Sequence, residues 1–225
     1  MPIVSLDAMR QVYFRDGKAN YGDIIWWPKG NAWKNQSLTP NTSVRYLYVF
    51  FNTKDVGPVI LDLLPAANGS SLFGTMADAW QVPLTDVGFD GKGGKYLMLP
   101  PGYTGAVPAG CIPLHSRTYN TFTTIRSILA GGADADVRNG DALVKRIKVH
   151  PLAKAGNPSA QRFVNMTDTM YDGLVHYDES IFVSLARMLN EEPAQPDDLQ
   201  MMGMLLLLGI EKGRNSNPMP RPPRS

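Results

Sequence analysis

The stretch VRYLYVFFNTKDVGPVILDLL, residues 44–64, decides the fold. Its first eight residues are rich in aromatic and β-branched side chains and form a run too short for a typical helix, so they read as a strand. NTKDVG carries turn residues, and PVILDLL after it reads as a second strand, so 44–64 is expected to form an antiparallel hairpin. Working outward, strands are expected near 72–80, 95–99, 111–115 and 119–129. Turns separate them at Gly69, at the glycines of 88–94, at Pro100 to Gly105, and at Pro108 with Gly110. Strands punctuated in this way indicate antiparallel β architecture.

Helical patterns flank this region. Residues 3–15 place Ile3, Leu6, Met9, Val12 and Tyr13 at helical spacing, and a short extended piece at 23–27 follows. ADADVRNGDALVKRI (133–147) has aspartates in its first turn and Lys145 with Arg146 in its last, matching the helix dipole. PLAKAGNPSA (151–160) reads as a linker. Beyond it, YDESIFVSLARMLNEE is a helix with Asp178 as N-cap, and PDDLQMMGMLLLLGIEKG is a second helix started by Pro196. The apolar run 201–210 is too short to span a membrane and is expected to be buried. The fold class is therefore α+β, a central antiparallel sheet or sandwich-like core with N- and C-terminal helices. The expected division is a β-rich domain at 1–150, a helical extension at 151–212 packed on it, and a disordered proline-rich tail at 213–225.

Composition bounds the function. The chain has 225 residues, 44% hydrophobic and 19% charged, values ordinary for a globular protein. A net charge of +2 is too small to bind nucleic acid by bulk electrostatics. Cys111 is the single cysteine, so an internal disulfide is excluded, and its neighbours Ile112, Pro113 and Leu114 suggest a buried structural thiol. The opening residues do not spell a basic segment followed by an apolar one, the pattern of a secretory signal.

Candidate chemistry is dispersed. Trp33, Asn35, Gln36, Thr39, Asn41 and Thr42 concentrate amides and hydroxyls that either order a loop or face a ligand. Trp26, Trp27, Trp33, Tyr46, Tyr48 and Trp80 could wall such a site, with Gln81 beside it. Asp78 and Asp86 flank Trp80 and could hold a divalent metal or act as acid and base. GKGGK at 91–95 lacks the order of a phosphate loop. It reads as a flexible hairpin loop, with Lys92 and Lys95 available to an anion. His115, His150 and His176 are scattered and lack a zinc-binding spacing. No cofactor is evident.

The segments WKNQSLTPNT, FFNTKDVGPVILDLLP, DAWQVPLTDVG, GKGGKYLMLPPGYTGAVPAG, YDESIFVSLARMLNEEP and MMGMLLLLGIEKG resemble the DUF1254 family, a bacterial family without an assigned general function. The resemblance covers nearly all of residues 1–212. It implies a periplasmic or cell-envelope protein, since many relatives carry an export signal, and larger relatives continue into a DUF1214 domain, which is expected to be missing here. The opening MPIVSLDAMRQ is similar to an internal stretch of relatives, which implies a late start or a truncation, and Arg45 stands where relatives tend to carry a smaller or uncharged residue. The expected function is a binding module for a small polar ligand or a protein partner. The alternatives are a metal-assisted hydrolase acting through Asp78 and Asp86, or a partial protein that self-associates through an uncovered face.

Overall fold

The protein is described by a computed structural model over residues 2–37, 41 and 44–214. In chain order these form α1 (Pro2–Arg15), β1 (Ile24–Trp26), β2 (Asn35–Gln36), β3 (Arg45–Asn52), α2 (Thr53–Val56), β4 (Val59–Leu63), β5 (Ser71–Asp78) and β6 (Pro83–Val87). They continue with β7 (Gly94–Leu99), β8 (Cys111–His115), β9 (Asn120–Ile128), α3 (Asp134–Val144), β10 (Lys148–Pro151), β11 (Phe163–Asn165), β12 (Tyr171–Asp172), α4 (Ser180–Glu191) and α5 (Leu199–Leu206). One sheet runs β11-β1-β3-β9-β5-β6, a second β10-β4-β7-β8, and β12 pairs with β2. Most pairs are antiparallel, as the alternation of strands and turns indicates; β1 with β11, β7 with β8, and β2 with β12 are parallel.

The expected hairpin over 44–64 is not formed, because β3 and β4 lie in different sheets. β3 pairs with β1 and β9, whereas β4 pairs with β10 and β7. The reason lies in the connection. Asn52 caps the single turn of α2 by accepting the Lys54 amide at 2.9 Å, and Gly57 at φ 71° redirects the chain into the second sheet. The glycine segment 88–93 likewise joins two sheets, carrying β6 over to β7, so it is not the loop of a hairpin.

Residue alternation in β3 shows why two layers are needed beside it. Leu47, Val49 and Phe51 face a core shared with Val59, Leu61, Leu63, Tyr96 and Met98 of the second sheet. Phe50 faces the opposite way, with Tyr46 and Tyr48 packed at the edge of a core built from α1, α4 and Met166. β1 and the residue after it divide similarly: Ile24 and Trp26 go to the inter-sheet core, Ile25 and Trp27 to the helix side. A strand buried on both faces reads as a nearly continuous apolar run, and each fully buried Leu, Val or Phe contributes about 1.5–3 kcal/mol. The layers are helices, then the six-stranded sheet, then the four-stranded sheet, with Leu143, Val144 and Ile147 closing the inter-sheet core. Arg45 pairs with Asp141 of α3 at 2.6 Å, fastening the start of β3 to that closing helix.

α1 and α4 meet over a buried polar cluster. Arg10, 4% exposed, donates to Asp7 at 2.8 Å, to both carboxylate oxygens of Glu191 at 2.6 and 3.0 Å, and to Tyr21 and Asn120. Ser184 donates to the other oxygen of Asp7 at 2.5 Å. Glu192 accepts the backbone amides of Tyr119 and Asn120; burial holds its carboxyl above the ordinary range, and the bonds from Asn120 and Tyr119 oppose that shift. Helix α5 departs from expectation. Its apolar run was expected to be buried, yet Leu199, Met204, Leu206, Leu207 and Leu208 are exposed and only Leu205 and Ile210 are buried. A helix apolar all round can turn only one stripe toward a single supporting surface.

The small β2–β12 pair is clamped by Asn35, which is 1% exposed. Its carbonyl accepts the Ala32 amide at 2.9 Å, and its amide donates to the carbonyls of Met166 and Thr169 at 3.1 and 3.0 Å.

Two outcomes are expected from these contacts. Arg10→Met takes the main cation from buried Asp7, which keeps only Arg187 at 3.4 Å, and from half-buried Glu191, and should cost about 1.5–3 kcal/mol in urea unfolding; a loss under about 1 kcal/mol would contradict the role given to the cluster. Asn35→Ala should lower stability by about 1–3 kcal/mol by removing the bonds to three backbone groups, one of them buried, whereas an unchanged unfolding midpoint would show that the clamp is dispensable.

Candidate functional site

The residues singled out in the sequence do not come together. Trp33 is 74% exposed, with the Lys34 ammonium 6.0 Å from its ring centroid. Asn35 is spent on its clamp, Gln36 lies exposed on β2, and Asn41 is exposed. Thr39 and Thr42 fall outside the described residues, as does the tail from 215 onward. Tyr46 lies under the Arg126 guanidinium at 5.7 Å. Trp26 and Trp27 are buried in opposite cores, and Tyr48 contacts Tyr13 and Trp27 in an aromatic cluster, so these three build the core and do not wall a cleft. Lys92 reaches Asp90 at 3.3 Å in an exposed loop, and Lys95 is exposed on β7. Cys111 is half-buried beside the small cluster of Ile60, Leu97 and Leu99.

Asp78 and Asp86 are also apart. Asp86 is paired across the ladder with Thr75, whose hydroxyl donates to it at 2.7 Å. Thr75 stands three residues before Asp78, and strand alternation sends the two carboxylates to opposite faces. One oxygen of Asp78 accepts the amides of Trp80 and Val82, both at 2.9 Å. Burial raises the Asp78 carboxyl and those two bonds pull against it. That pattern closes a tight turn in which Gln81 takes φ 62° and donates to the Pro2 carbonyl at 2.8 Å. Asp78 and Trp80 do line a cavity of about 180 Å³ with Arg117, Thr118 and Gln195, without Asp86. Among the described residues, no three of His, Cys, Asp and Glu are grouped so as to hold a metal ion.

A larger cavity, which the sequence reading missed, lies where the chain crosses between the sheets. Its volume is about 270 Å³. One wall is the crossing itself, with Asn52, Asp55, Val56 and Val59; a second, beside it, carries His150, Lys154, Ser159 and Gln161, and Tyr21, Asp23 and Phe51 complete the lining. Four segments distant in sequence supply these groups, so no local motif marks the place.

Most polar groups in this cavity are already fixed. Asp23 accepts the Asn20 amide and an Arg162 nitrogen, each at 2.7 Å. Gln161 accepts the Val149 amide at 2.7 Å and donates to the Gly22 carbonyl at 2.9 Å. His150 turns Nδ1 to the Pro151 carbonyl at 3.1 Å, which leaves Nε2 unspent. Tyr21 donates to Asn120 at 2.7 Å and accepts from Arg10 at 2.5 Å, joining the lining to the buried cluster beneath α1 and α4. Burial holds the Tyr21 phenol above its ordinary range, and the Arg10 charge opposes that. The side chains of Asp55 and Lys154 make no hydrogen bond or ion pair with other described residues. The wall is thus rigid where it is bonded and carries two uncommitted charges.

Comparison with known proteins places the fold but not an activity. No helix among the described residues is long and apolar enough to cross a membrane. No curated protein matches the chain. The crystal structure of the VPA0106 protein from Vibrio parahaemolyticus is similar over 99% of this chain at a TM-score of 0.63 and 15% sequence identity, a likeness of fold alone. This chain spans 52% of that one, about half its length. Residues 22–151, which hold both main sheets except β11, match a family described as a protein of unknown function, and the chain belongs to that family, DUF1254.

Proposed function

We propose that the protein is a binding module for a small polar ligand, held in the cavity at the crossing between the two sheets. The observation that carries this reading is the contrast within one lining: Asp23, Gln161 and Arg162 are locked by internal bonds, while Asp55, Lys154 and Nε2 of His150 are left to a ligand. A pre-positioned wall loses little entropy when it binds. Ligand pockets commonly measure about 300–1,000 Å³, so a cavity of about 270 Å³ suits a small molecule. The separation of Asp78 from Asp86 removes the geometric support for metal-assisted hydrolysis at that pair. The bacterial cell envelope is the setting that the family resemblance supports.

A thermal-shift screen of small polar metabolites tests the reading. A ligand of the cavity should raise the melting temperature of the wild-type protein and of Trp33→Ala, because Trp33 lies elsewhere. It should not stabilise Val56→Trp, which puts a large ring at the partly exposed mouth. Stabilisation that survives Val56→Trp, in a variant whose own melting temperature matches the wild type, would place binding outside this cavity.

A further inference from the structure

We infer that the ligand of this cavity is a small zwitterion, a molecule the size of an α-amino acid that carries one ammonium and one carboxylate. The inference rests on the binding reading and adds the charge pattern of the ligand. Four side chains with formal charge line the cavity: Asp23, Asp55, Lys154 and Arg162. Asp23 and Arg162 neutralise each other at 2.7 Å. The remaining two stand on different walls, Asp55 on the turn of α2 and Lys154 on the 3-10 turn Leu152–Lys154. The two turns are held in register, because β10 pairs with β4 and the Leu152 amide donates to the Pro58 carbonyl at 2.7 Å.

The two walls therefore offer one anion and one cation that the protein leaves unpaired. A zwitterion satisfies both at once, its ammonium at Asp55 and its carboxylate at Lys154, with Val56 and Val59 of the crossing wall for its apolar stem. A dianion would face Asp55 without compensation, and a dication would face Lys154; each meets a like charge that a zwitterion does not. A neutral polyol would bring no opposite charge to either group and would only replace water at them with hydroxyls of similar bonding power.

Calorimetric titration tests the inference with free amino acids, their N-acetyl and C-amide derivatives, and neutral polyols as probes. At least one small amino acid should bind, and blocking either of its charges should weaken binding about tenfold or more, ~1.4 kcal/mol. Asp55→Asn should weaken the free amino acid to the same degree and leave the N-acetyl derivative unaffected. Lys154→Met should do the same with respect to the amide. If derivatives and polyols bind as well as the free amino acid and neither variant matters, the zwitterion assignment is wrong while the binding reading stands. If no probe of any charge class binds, the binding reading itself fails. Both substituted side chains are exposed, so the variants should fold, and their unfolding midpoints verify it.

Discussion

The structure depends on a sheet that must be covered on both faces. β3, with apolar or aromatic side chains at nearly every position, sends Leu47, Val49 and Phe51 one way and Phe50 the other, and neither set can remain in water. The helices α1 and α4 cover one face and the four-stranded sheet covers the other. A hairpin partner beside β3 would have extended the sheet and left one face bare. Moving β4 into a separate layer brings Val59, Leu61 and Leu63 over that face. The crossing at 53–58 is the price of this solution, and a polar-lined cleft of about 270 Å³ opens beside it.

The helical layer needs its own fastening because α1 is at one end of the chain and α4 near the other. Arg10 supplies it: a single guanidinium reaches carboxylates on both helices and the side chain of Asn120 at the start of β9. Such a cluster is costly to desolvate and tolerable only when nearly every member is bonded, as it is here. Tyr21 extends the same network to the lining of the cavity. The position of that part of the lining is therefore set by the packing of helices that do not themselves line the cavity.

Much of the fold was legible because it is written locally. The strand character of 44–51, the helix at 3–15, the acidic first turn of α3 and the Pro196 start each show in a few consecutive residues. Pairing was less legible: one helical turn and Gly57 suffice to send β4 to another sheet, and their effect is the same length of chain as a hairpin loop. The run MMGMLLLLGI misled for a different reason, since hydrophobicity alone does not say how many surfaces are available to cover a helix. Within the polar motif WKNQSLTPNT, Asn35 bonds three backbone groups, and those bonds consume the side chain. The cavity was invisible because its walls come from residues 21–23, 51–59, 149–154 and 159–162, none of which carries a catalytic or ligand-binding motif.

The claim that joins these points is that the sheet crossing forms the binding wall. Its most direct test is an amide chemical-shift map of isotope-labelled protein titrated with free amino acids in solution. The account predicts saturable shifts confined to residues 52–59, 149–154, 159–162 and the neighbourhood of Tyr21. Saturable shifts centred on Trp33, on Asp78 and Trp80, or on the exposed face of α5, with 52–59 unmoved, would contradict it.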